Sequence, residues 1–219
     1  MIKDKPILKS IIWTFVILIF PVVSGVITQV LMMNNIQTMF IQGCFMLISL
    51  IIPIVYMWKF KISFKKIGLI IIENGSAKKV LFFLPLVIAE APFLLVGIRL
   101  NSIKYIITLL FFTIAVGISE EIYFRGIILK LLEEKYPKKK SIIISALVFG
   151  IIAAEIVTIT KSLIPIIIWH FVFNFVNYIT LATGVNEIFV IGFQEIIMII
   201  YAYNLWSKIS LKNKDIVQL

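Results

Sequence analysis

Two adjacent carboxylates, Glu120 and Glu121, are followed four residues later by Arg125 in Ser119-Glu120-Glu121-Ile122-Tyr123-Phe124-Arg125-Gly126, and the flanking sequence is almost entirely apolar. Ionisable groups inside a bilayer cost roughly 2.5–3.5 kcal/mol each on insertion scales, so they face polar cavities and mark functional sites. On a helix Glu121 and Arg125 share a face and can pair, while Glu120 projects about 100° away. Further along, His170, the single histidine, precedes Asn174 by one helical turn. On their own these two could form a helix-to-helix hydrogen-bond pair. Together with the acids they form a hydrolase constellation: a base to activate water, a charge partner, and donors for the oxyanion of a tetrahedral intermediate.

The elements that hold these groups must be membrane helices. Apolar residues make up 61% of 219 positions and mean hydropathy is +1.09, well above the ~45–50% apolar content of soluble domains. The runs do not alternate as barrel strands would. The expected fold is an all-α polytopic transmembrane bundle of about seven spans, with residues 1–219 forming a single integral membrane domain. The net charge of +10 comes from lysines between apolar runs, which is the positive-inside pattern and argues against nucleic-acid binding. Membrane lipids and a peptide or protein presented at the membrane are the expected partners; oligomeric state is not legible. Cys44, the lone cysteine, excludes an internal disulfide and reads as a small buried hydrophobe.

The expected spans run about Ile11–Met33, Phe40–Trp58, Val80–Ile98, Tyr105–Leu132, Ser141–Val157, Ile164–Leu181 and Ile188–Trp206. Lys3, Lys5 and Lys9 before the first place the N-terminus in the cytoplasm. Seven spans then put the basic tail, with Lys208, Lys212 and Lys214, on the opposite side, against the charge rule. Between the second and third spans Lys59, Lys61, Lys65, Lys66, Glu73, Lys78 and Lys79 enclose Ile62, Phe64, Ile67 and Leu69; this reads either as a segment lying on anionic lipid or as an ordinary basic loop. Pro85 and Pro92 predict a kink in the third span, and Glu90 there reads as structural or snorkelling. Glu120 lies about 22 Å along the axis from Tyr105, in the cytoplasmic half. A zinc site is disfavoured and no cofactor is required: one histidine and no useful cysteine leave too few ligands, so any metal would rest on Glu120 and His170.

These motifs resemble those of the CAAX protease and bacteriocin-processing family, also called the Abi family, of intramembrane proteases, which includes the type II CAAX prenyl endopeptidases. The family's EExxxR motif stands here as Glu120-Glu121-Ile122-Tyr123-Phe124-Arg125, and its HxxxN motif as His170 to Asn174, after Ser162-Leu163-Ile164-Pro165. The family-like core covers about residues 105–182. The resemblance implies that Glu120 is the water-activating base, that Glu121 and Arg125 order the site, and that His170 and Asn174 bind the oxyanion or position substrate. It implies substrates such as prenylated CAAX tails, bacteriocin leaders or signalling peptides.

The family's second motif, FxxxH, is matched by Phe149-Gly150-Ile151-Ile152-Ala153, with alanine in the histidine's place, and only 16 residues lie between Ala153 and His170. Glu155 sits about 200° around a helix from residue 153 and is no obvious substitute. The expected activity is therefore that of an intramembrane endopeptidase. The alternative is a catalytically impaired member acting as a bacteriocin self-immunity or regulatory membrane-binding protein. Transport predicts paired half-helices or an internal repeat, and neither is legible. The Ile- and Lys-rich composition suggests a bacterial cytoplasmic membrane.

Overall fold

A computed structural model of the chain describes residues 5–70, 81–99, 102–181 and 183–214. Lys3, Glu73, Lys78 and Lys79, assigned above to basic segments, lie outside them. The described residues are helical, apart from turns and one isolated antiparallel bridge between Ile98 and Thr180. Among the described residues four helices are long and apolar enough to cross a membrane: Pro6–Val30, Asn35–Lys59, Ile103–Glu133 and Gly184–Ile209. Leu81–Leu95, Ile151–Thr160 and Ile164–Ile179 are shorter apolar helices. The chain is an all-α, polytopic integral membrane bundle.

Helix α1 is Pro6–Val30. Asn34 caps the next helix: its side chain accepts from Gln37 N while Gln37 reaches back to Asn34 N, a reciprocal capping box. The second span is two helices, α2 (Asn35–Ser49) and α3 (Ile51–Lys59), parted at Leu50. Pro53 explains the break, because it has no N–H to donate to the carbonyl of Ser49. That carbonyl accepts instead from the Tyr123 hydroxyl at 2.7 Å, and the Met46 carbonyl accepts from Ser119 Oγ at 2.8 Å. Both donors flank Glu120 and Glu121, so the proline break pins the acid-bearing helix to the second span.

A 3₁₀ turn, Leu81–Phe83, leads into α4 (Leu84–Leu95), with Pro85 in its first turn and Pro92 inside it. Glu90 in α4 is buried and accepts from Gln194 Nε2 at 2.7 Å, so it is a bundle residue and does not snorkel. Helix α5 (Ile103–Glu121) passes into a π turn (Ile122–Ile128) and then α6 (Leu129–Glu133). Gly43 lets α2 approach α5 so closely that a Cβ there would lie 2.6 Å from the Phe111 ring. Small residues serve membrane helix packing in this way. Cys44 beside it is half-buried rather than buried.

The expected fifth span, Ser141–Val157, is not one helix. It is α7 (Lys138–Phe149) and α8 (Ile151–Thr160), parted at Gly150, whose φ of 55° breaks the helical ladder. Helices α9 (Ile164–Ile179) and α10 (Gly184–Lys214) complete the chain. Interrupted helices were not legible in the sequence, yet there are breaks at Leu50 and Gly150. Such irregular backbone is tolerated in a membrane where protein covers it or where it lines a cavity.

The described part of the basic loop after α3 is a series of turns docked onto the bundle: Ile67 is buried in the main apolar cluster, and the Gly68 carbonyl accepts from Leu163 N at 2.9 Å. Phe60 and Phe64 remain exposed, and Lys66 pairs with Glu134 at 3.0 Å on the surface. The apolar residues of this loop serve the α8–α9 junction, which is where the chain turns back towards His170.

Candidate active site

Helix α9 meets α5 at Gly117, where a Cβ would lie 3.4 Å from Phe171 N. One turn further along α5, this close approach sets the acids against His170. The Glu121 side chain is wholly buried; its Oε1 accepts from Arg125 Nη1 at 3.2 Å and lies 2.9 Å from His170 Nδ1. On the other side of the ring, His170 Nε2 is 3.4 Å from Glu120 Oε2. The imidazole is thus held between the two glutamates, one at each nitrogen. Glu120 is the more open acid, with a quarter of its side chain accessible.

Arg125 is buried within the π turn that follows the acids. Single π turns inside α-helices recur at functional sites because they re-aim side chains that an α ladder would hold elsewhere. Arg125 Nη2 donates to the Gly150 carbonyl at 3.2 Å, which ties the acid-bearing helix to the α7–α8 break. A Cβ on Gly150 would come 3.3 Å from that same Nη2, so glycine suits both the positive φ and the space.

A cavity of about 470 Å³ opens beside this cluster, bordered by Glu120, Arg125, His170 and Asn174 and by the Gly150–Ala153 stretch. Its volume lies in the range that accommodates drug-sized ligands. Asn174 lines it one turn beyond His170. Ala153 lines it too, where a histidine would stand in the FxxxH pattern. Glu155 is fully buried in α8 and is not part of the lining. Trp169 and Phe173 add aromatic wall, and α10 supplies Glu195, Met198, Ile199 and Ala202.

Sequence reasoning found the five polar residues of α5, the π turn and α9, but not the far wall. The signal was present: Glu195, Met198, Ile199 and Ala202 are spaced i, i+3, i+4, i+7, the pattern of one helix face, around a lone mid-span acid. Among the described residues no group of three or more His, Cys, Asp or Glu side chains is arranged to hold a metal ion. Glu121, the carboxylate nearest His170, is already engaged by Arg125.

Residues 101–156 match the family model for the type II CAAX prenyl endopeptidase Rce1-like proteins, which bears out the family resemblance drawn from the motifs. The match takes in the acid pair, Arg125 and Ala153; His170 and Asn174 lie beyond it. It supports a membrane protease in general. Comparison with curated proteins and with solved structures gives no match.

Proposed function

We propose that the protein is an intramembrane endopeptidase that hydrolyses a membrane-associated peptide or protein with water activated by Glu120. The observation that carries this reading is the His170 ring between Glu120 and Glu121, at the edge of a cavity with room for an extended peptide segment. Glu120 is the accessible carboxylate and the natural base. Glu121 is spent on Arg125 and His170 and acts as a positioning group.

In the reaction a water beside Glu120 gives its proton to the carboxylate as its oxygen attacks the scissile carbonyl carbon. The tetrahedral oxyanion takes hydrogen bonds from His170 and Asn174. The carbon–nitrogen bond then breaks, and the proton on Glu120 passes to the departing nitrogen, leaving a carboxylic acid and an amine, whose remaining exchangeable proton moves between them to give carboxylate and ammonium. Glu120, His170 and Asn174 all border the same cavity, which supports their acting on one bound peptide.

A second reading rests on Ala153. With a methyl group where FxxxH places an imidazole, the scaffold can bind a membrane partner without cleaving it, as a self-immunity or regulatory protein would. Mass spectrometry of membrane and released peptides separates the two, comparing cells that express the protein with cells that express Glu120→Gln at equal abundance. The expected result is a defined product that falls by about 10²–10⁴-fold in the variant, the usual contribution of a general base. Identical peptide profiles, with the cellular effect retained by the variant, would overturn the protease reading in favour of the second.

A further inference from the structure

Resting on the endopeptidase reading, the geometry points to Glu195 as the residue that selects substrate: we infer that its carboxylate receives a lysine or arginine side chain of the bound peptide. Glu195 lies eleven residues from Gly184 and fourteen from Ile209, near the middle of the last membrane-length helix, about 17 Å from the nearer end. A carboxylate at that depth is among the most unfavourable groups to insert, and one kept there has a polar cavity and a partner.

The cavity is present. Glu195 lines it on the same helical face as Met198, Ile199 and Ala202, and the same cavity is lined by Glu120, His170 and Asn174. Among the described residues no partner is supplied: Glu195 is exposed, and no hydrogen bond or ion pair reaches it. Its neighbour Gln194 is buried and engaged with Glu90.

Charge around the cavity points the same way. Its lining contains the carboxylates of Glu120 and Glu195, the guanidinium of Arg125 and the imidazole of His170. The guanidinium is directed to Glu121 and to the Gly150 carbonyl, and the imidazole lies between Glu120 and Glu121. Glu195 therefore adds a carboxylate outside that cluster, in a mostly apolar wall where a cation gains more than it would in water. Ile151, Ile152, Phe173, Met198 and Ile199 would take apolar residues on either side of the basic one. The substrate class is an apolar, membrane-associated segment with a single basic residue near the scissile bond.

The test uses the full chain in lipid nanodiscs, with Glu120→Gln to suppress turnover. The probes are an N-acetylated, C-amidated apolar decapeptide with one central lysine, the same peptide with norleucine, and the same peptide with glutamate. The lysine peptide is expected to bind about tenfold or more tightly than the norleucine peptide, the lower end for a charge-assisted hydrogen bond. Adding Glu195→Gln should remove that preference, and Glu195→Lys should reverse it towards the glutamate peptide. Equal binding of the lysine and norleucine peptides, or a lysine preference that survives Glu195→Gln, overturns the inference. A preference that follows Glu195 while the wild-type chain releases no Glu120-dependent product upholds the cation site and overturns the protease reading. A Glu120-dependent product without any charge preference does the reverse.

Discussion

Glu121 and Glu155 are both completely buried, and their surroundings could hardly differ more. Glu121 sits against Arg125 and His170 beside a cavity, on a helix whose neighbouring hydroxyls, Ser119 and Tyr123, bond to carbonyls of the second span. Glu155, in α8 between the core residues Ala154 and Ile156, has both oxygens without a hydrogen-bond partner. Burial of an acid therefore does not define a site. What distinguishes the Glu121 region is that one oxygen of Glu121 is held by both Arg125 and His170, although its Oε2 has no hydrogen-bond partner, and that Glu120 beside it is partly accessible. The same contrast makes opposite demands on stability, since a charge-paired acid resists loss of its partner while an unpaired one invites replacement.

The largest expected effect breaks the charge-paired region. Arg125→Ala leaves Glu121 buried without its guanidinium and should lower stability by about 3–5 kcal/mol, the usual result of removing one partner from a buried pair. Unfolding of the purified protein in mixed micelles, followed by circular dichroism, measures it. A loss below about 1 kcal/mol would mean that Glu121 does not depend on Arg125, and the contrast with Glu155 would collapse.

Next is the opposite substitution at the other acid. Glu155→Leu removes a buried group with unsatisfied oxygens and should raise stability by about 1–3 kcal/mol. The same unfolding measurement gives the sign, and destabilisation instead would reveal a partner for Glu155 and make the two regions alike.

Gly150→Ala sharpens the comparison at the Arg125 end. It forces a Cβ into positive φ beside the Arg125 guanidinium and should cost about 1–2 kcal/mol, with a parallel drop in any Glu120-dependent cleavage. Unchanged stability and cleavage would show that Arg125 does not need the Gly150 carbonyl.

The smallest effect is Tyr123→Phe, which takes the hydroxyl from the Ser49 carbonyl that Pro53 leaves without a helical donor. Hydrogen bonds between membrane helices average about 0.6 kcal/mol, with a maximum near 1.7. A loss in that range would support the pinning of the acid-bearing helix; no loss would mean that packing of Trp13 on the Tyr123 ring, 5.5 Å between centroids, suffices by itself.

Much of the site could be read in advance because its spacing is local. Glu121 and Arg125 are one turn apart, as are His170 and Asn174, and helical geometry alone puts each pair on one face. The helix breaks were harder. Pro53 is visible in the sequence, but whether the span bends or stops there depends on Tyr123, seventy residues away, being present to satisfy the freed carbonyl. The place of Ile67 in the basic loop was hidden for a similar reason: it packs into a core beside the α8–α9 junction, nearly a hundred residues further along the chain.

The sequence by itself determined that the chain is a helical membrane bundle and that Glu120, Glu121, Arg125, His170 and Asn174 stand in two short motifs. Hydropathy and helical periodicity act over a few turns and need no knowledge of neighbours. Only the tertiary structure decided that His170 lies between Glu120 and Glu121, that Gly150 receives Arg125, and that Glu195 faces the same cavity from the last helix. Those relations join residues tens of positions apart. They are set by which helices can approach closely, at Gly43 and Gly117, and by which buried polar atoms must find one another in a medium without water.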